Sequence, residues 1–170
     1  MNSPKYQELQ DAIRYFMEGF PDKSILDYSV GSTKYLDRLM DDQFESGQLK
    51  NADSGFAKYQ GTILTGVAGY LAEVVMRASD GASIDIDDED ENWYINFKVA
   101  GANGWVFQPG QRVIKRIQKG AEAEFYAYVL SAIKYLNQDK GDSPANTYIE
   151  EVYVREPPKQ KVSRPWWKFW

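Results

Sequence analysis

Glu73 sits in the apolar stretch GTILTGVAGYLAEVVMR, one turn after Gly69 and one turn before Arg77. Two chemistries fit a carboxylate in such a place. Exposed in a pocket floored by Gly66 and Gly69, it would act as a ligand or as an acid–base group. Paired with Arg77 at i, i+4, or tied to the backbone of a strand, it would be structural, and the spacing favours this second reading. Downstream, six acids fall within seven positions: Asp85, Asp87, Asp88, Glu89, Asp90 and Glu91. Clustered carboxylate oxygens suit Ca²⁺ or Mg²⁺. This run lacks the central glycine and the spaced acids of a calcium-binding loop, and its consecutive acids point in different directions. A solvated turn or an acidic patch for a basic partner is expected there, with no metal.

Two basic features answer the acids. Arg112, Lys115, Arg116 and Lys119 recur at helical spacing and share one face, a pattern that contacts phosphates in nucleic-acid-binding proteins. Residues 164–170, RPWWKFW, place four aromatics among two cations. Aromatic anchors of this kind dock onto a partner, onto an apolar groove of their own domain, or at a membrane interface. Trp166, Trp167 and Trp170 are therefore candidate partner-binding residues. Residues 155–170 hold five bases and one acid, whereas residues 1–154 hold 15 bases and 24 acids, a net of −9. A body this acidic repels nucleic acid, and its charge either attracts basic partners or simply serves solubility. The basic face is accordingly expected to pair with the acidic run or to be solvated.

Composition excludes several reactions outright. The 170 residues include no cysteine and no histidine. Thiolate nucleophiles, disulfides, Cys-ligated metals, His general bases and His-ligated metals are all ruled out. Only carboxylate, Lys, Ser/Thr or Tyr chemistry is left for catalysis. With 43% hydrophobic and 15% aromatic residues the chain has enough apolar material to fold. Its longest apolar stretch is broken by Glu73 and falls short of the ~20 residues that span a bilayer. The opening residues have no cationic start followed by an apolar run, so no signal peptide is expected. A cytoplasmic protein without stable membrane insertion follows.

The elements that position these groups are read from periodicity. Helices are expected over 4–19, with Ser3 as N-cap and Pro4 at the first position, over 32–45 with Gly47 as the stop, over 56–79, over 111–118 and over 122–137. A polar loop is expected between residues 47 and 55. In the third helix Gly61, Gly66 and Gly69 each cost ~1 kcal/mol relative to alanine. Close approach of another element is the expected compensation. Trp93, Ile95, Phe97 and Val99 alternate with polar residues as a half-buried strand, and Gly101–Gly104 turns it into a hairpin with residues 105–107. Residues 83–86 are placed beside it, and a further strand is expected at 147–154 after a loop over 140–146. The resulting fold class is α+β, about five helices packed on a small, mainly antiparallel sheet of three to four strands. Residues 1–154 form the domain and 155–170 a basic aromatic C-terminal tail.

Residues 65–75 (TGVAGYLAEVV), a Trp-bearing strand, and Phe107-Gln108-Pro109 leading into Arg112-Val113-Ile114-Lys115-Arg116 together resemble a group of small uncharacterised bacterial α+β proteins. Some of that group resemble immunity proteins encoded beside secreted toxins. Ala72 stands where the group's pattern has glycine. The resemblance covers about residues 57–136 and implies no catalytic residue. The acidic body, the missing histidine and cysteine and the aromatic tail, together with this resemblance, point to a non-enzymatic immunity or adaptor protein that needs no cofactor and binds a protein partner, such as a basic toxin, through its acidic surface. Residues 85–91, with Trp93 and Tyr94 beside them, would form the contact. The alternative is a small-ligand-binding or carboxylate-dependent enzyme domain centred on Glu73.

Overall fold

Entry into the first helix is set by two residues. Ser3 accepts the Tyr6 N–H at 3.4 Å and Pro4 takes the first helical position, which satisfies one orphan donor and removes another. In the computed structural model, which describes residues 3–20 and 22–138, α1 spans Pro4–Gly19 and buries Leu9, Ala12, Ile13 and Phe16. Two short 3-10 turns lead to α2 (Thr33–Gln43). The helix expected to reach residue 45 stops at Gln43. Phe44–Glu45 instead forms β1, which pairs antiparallel with β2 (Gln48–Leu49). Ser46 and Gly47 turn between them with φ of 50° and 81°, and two consecutive positive φ angles make the tight turn whose twist suits a hairpin. Gly47 thus closes a hairpin, and β2 occupies the start of the expected polar loop.

The helix expected over 56–79 is two helices. α3 (Gly55–Lys58) is capped by Ser54, which accepts the Ala57 N–H at 3.1 Å, and α4 (Gln60–Arg77) follows after a break at Tyr59. The strands β3 (Ser83–Asp85), β4 (Lys98–Ala100) and β5 (Val106–Phe107) make an antiparallel sheet in that order, with Ile84 and Phe107 flanking Val99. The expected hairpin at Gly101–Gly104 is present. The expected strand over 93–99 is present only in its second half, because Trp93–Asn96 forms a helical turn, α5. Asp90 is the local cause. Its carboxylate accepts the Asn92 N–H and the Asn96 side-chain amide, both at 2.8 Å, and the Asn96 and Phe97 N–H groups then bond back to Asn92 and Trp93.

Pro109 starts α6 (Pro109–Lys119) and Gly120, at φ 58°, ends it. A 3-10 turn over Gly120–Ala123 precedes α7 (Phe125–Leu136), so the last helix begins three residues later than expected. Among the described residues there are seven helices and two small antiparallel sheets, an α+β arrangement with more helices than the sequence predicts. The loop expected at 140–146, the strand at 147–154 and the tail at 155–170 lie outside the described residues.

α4 is the hub, touching α1, α3, α6, α7, β3 and β4. Residues on more than one side of it are buried, among them Ile63, Val67, Gly69, Tyr70 and Ala72. Among the described residues no helix is long and apolar enough to cross a membrane. Gly66 and Gly69 are the close-approach positions: a Cβ on Gly66 would stand 2.4 Å from the Ala12 carbonyl oxygen, and one on Gly69 would stand 2.6 Å from Ile13. Gly61 meets nothing within 4 Å, so packing does not offset its helical cost. Gly61→Ala is expected to raise stability by about 0.5–1 kcal/mol, read as a higher urea midpoint at unchanged slope.

Candidate functional site

α1 and α6 both pack on α4, and the α5 turn lies across the gap between them. The result is an open groove of about 720 Å³. Leu64, Thr65 and Ala68 of α4 form its floor, Ala12 and Tyr15 of α1 one wall, and Trp93, Tyr94, Ile95, Val113 and Ile114 the other. The far wall depends on Gly110, since a Cβ there would stand 2.6 Å from the Ile95 carbonyl oxygen. Only glycine lets the start of α6 lie directly on the α5 backbone.

Carboxylates line the α1 rim. Asp11 accepts from the Gln7 side chain at 3.1 Å and pairs with Arg14. Glu8, one turn earlier and exposed, has no hydrogen-bond or ion-pair partner among the described residues. The acidic run sits at the same end. Ser3 bonds to Asp88, and the Lys5 ammonium donates to the backbone oxygens of Asp87 and Asp90 at 3.3 and 2.8 Å. Hydrogen bonds from Asn96 and Asn92 hold the Asp90 carboxyl below its usual range, and the Lys5 charge adds to this. Asp85 pairs with Lys98 at 3.1 Å. Lys5 thus donates to backbone oxygens, and Asp87, Glu89 and Glu91 form no ion pair among the described residues. The described residues contain no group of three acids arranged to hold a metal ion.

Glu73 is placed elsewhere and is mostly buried. Gln10 donates to it at 3.4 Å, and the Arg77 Nε lies 3.6 Å from its other oxygen. The Arg77 guanidinium in turn covers the Tyr28 ring at 3.7 Å, and that ring stacks on Tyr70 at 4.8 Å. Tyr28 has φ of 61°, a strained value for a large side chain, and its N–H donates to the Tyr70 hydroxyl at 2.9 Å. Glu73 therefore steers a cation that clamps a strained turn. α1 fills the space over Gly66 and Gly69, with Ala12, Phe16 and Ile13 against them.

The basic face of α6 is not a solvated stripe, and its buried arginine pairs with acids of α2 and not with the acidic run. Arg116 is only 2% exposed, with its Nε on the Asp37 carboxylate at 3.0 Å and an Nη on Asp41 at 2.7 Å. Burial works against its charge, and the hydrogen bonds to Asp41 and Asp37 more than offset this, so its pKa lies above the ordinary value. Arg112 donates to the Glu124 carbonyl at 2.9 Å and lies over the Tyr128 ring, and burial lowers its pKa. Only Lys115 and Lys119 of the four stay exposed. Asp37 also accepts the Phe125 and Tyr126 N–H groups at 2.8 and 3.2 Å. It caps α7 from another helix, which has no capping side chain of its own. Burial pushes the Asp37 carboxyl up, outweighing the Phe125 N–H, Arg116 and the Tyr126 N–H that pull it down.

None of the acids 85–91 lines the groove, and Trp93 and Tyr94 share its lining with Glu8, Asp11 and Tyr15, which the sequence reading does not single out. Their signal was present: positions 8, 11 and 15 make one stripe along α1. Trp166, Trp167 and Trp170 lie outside the described residues. Comparison of the chain with protein-family models, with curated proteins and with solved structures yields no match.

Proposed function

We propose that this chain is a non-enzymatic protein-binding protein of the immunity or adaptor kind, which takes a basic partner on the face formed by residues 85–91 and the groove beside them. One observation carries the reading: Glu8 and Asp11 line an apolar groove walled by Trp93, Tyr94 and Tyr15, and the exposed acids 87, 89 and 91 lead directly into Trp93. Protein interfaces combine aromatic anchors at the centre with a charged rim in this way. The acids would steer encounter and the groove would retain the partner. The reading centred on Glu73 has less support, since that carboxylate is engaged by Gln10 and Arg77.

The test is affinity capture from the native host with the wild type and with Asp87→Lys/Glu89→Lys/Glu91→Lys. All three positions are exposed, so the fold is expected to persist and circular dichroism checks it. A basic protein should be retained by the wild type and bind the variant at least about tenfold more weakly, with an on-rate that falls as salt rises. Capture of the same partners by both forms, or of no stable protein partner, contradicts the proposal.

A further inference from the structure

We propose that the groove between α1, α4, α5 and α6 is the seat of the chain's own residues 164–170, so that a partner must displace this segment to bind. The displacement step names a regulation of the protein-binding face and rests on that reading. Occupancy by the segment does not.

Charge and shape select the occupant. The groove presents aromatic and aliphatic walls with Glu8 and Asp11 along one rim. Residues 164–170 bring four aromatics, Arg164 and Lys168, and no acidic side chain. Rings would fill the apolar floor at Leu64 and Ala68 while the cations reach the rim carboxylates, the division of labour that amphipathic side chains favour. A volume of about 720 Å³ is ample for several such groups. The smaller cleft beside Trp105 and Tyr135, about 120 Å³, has no carboxylate in its lining. Charge therefore directs the segment to the larger groove.

The connection is long enough. Twenty-five residues, 139–163, separate the last described residue from the segment. At most ~3.3 Å per residue, even the nine residues 155–163 alone can reach about 30 Å. That is comparable to the width of a domain with a radius of gyration of about 14 Å. Covalent attachment makes the docking intramolecular, so even modest intrinsic affinity fills the groove.

The absence of cysteine makes the test direct. Ser163→Cys in the full chain provides a single attachment site for a nitroxide beside the segment, and the amide signals of the folded protein report where it goes. Signals from Ala12, Thr65, Ala68 and Ile114 are expected to lose most of their intensity at low protein concentration, while Ser131 and Ala132 keep theirs. Adding Glu8→Lys, an exposed rim change that leaves the core untouched, or Thr65→Lys, which puts a like charge on the floor, should restore the groove signals. Uniform intensities overturn the proposal. So does broadening that grows with protein concentration, which marks a second copy, or that appears only with anionic vesicles, which marks a membrane surface. The measurement contains no partner, so its failure is separable from failure of the capture experiment: capture without groove broadening leaves the protein-binding reading standing and removes the seat.

Discussion

Asp37→Ala is expected to cost about 3–5 kcal/mol of folding stability, the range for breaking a buried ion pair from one side. Three donors lose their acceptor at once: the Arg116 guanidinium and the Phe125 and Tyr126 N–H groups. Arg116 is buried and cannot turn to water for replacement. Asp41 still reaches it, but from an exposed position where the pairing is weaker. The start of α7 meanwhile loses its cap. Arg116→Met is expected to cost less, since Asp37 keeps both backbone donors and a long apolar side chain fills the space. Thermal denaturation of the two variants side by side gives the comparison. Equal losses would show that the cap contributes nothing beyond the ion pair.

Gly66→Ala should be the most damaging of the small changes in α4. Its new methyl group would meet the Ala12 carbonyl oxygen at 2.4 Å and the Phe16 Cβ at 2.5 Å. Both atoms belong to or adjoin the backbone of α1, so relief requires the whole helix to move. Overpacking of this kind costs typically 1–3 kcal/mol, and here it must also overcome the ~1 kcal/mol that alanine gains in a helix. Gly69→Ala is expected to be milder, because it meets the ends of the Ile13 and Leu9 side chains, which can change rotamer. Denaturant midpoints for Gly61→Ala, Gly69→Ala and Gly66→Ala should therefore fall in that order. Since α1 forms one wall of the groove, Gly66→Ala should also weaken any ligand held there.

Local chemistry explains which elements were legible. α1 was readable to the residue because its cap, its proline and its stripe all lie within a few positions of one another. The hairpin at Gly101–Gly104 was readable for the same reason. Residues 93–96 were not, since alternation of Trp93 and Ile95 fits a strand until Asp90 captures the Asn92 N–H and the Asn96 side chain and winds the chain into a turn. The spacing of Phe44 continues that of the apolar residues of α2 and predicts helix there. The positive φ angles at Ser46 and Gly47 and the pairing with Leu49 outweigh that spacing.

Site residues divide along the same line. Pairing of Glu73 with Arg77 follows from i, i+4 spacing within one helix. Its role in holding Arg77 over Tyr28 does not, because Tyr28 arrives from a distant loop. Arg112, Lys115, Arg116 and Lys119 do share a helical face, yet spacing says nothing about what that face meets. Arg116 meets Asp37, 79 positions away, and is buried. The order of the chain alone establishes the chemistry it lacks, the helices and strands with strong local signals, and the separation of an acidic body from a basic aromatic segment. Packing of α1, α5 and α6 around α4 decides which charges are buried and creates the groove. Periodicity records a side chain's direction relative to its own backbone, whereas burial and concavity depend on surfaces brought together from remote parts of the chain.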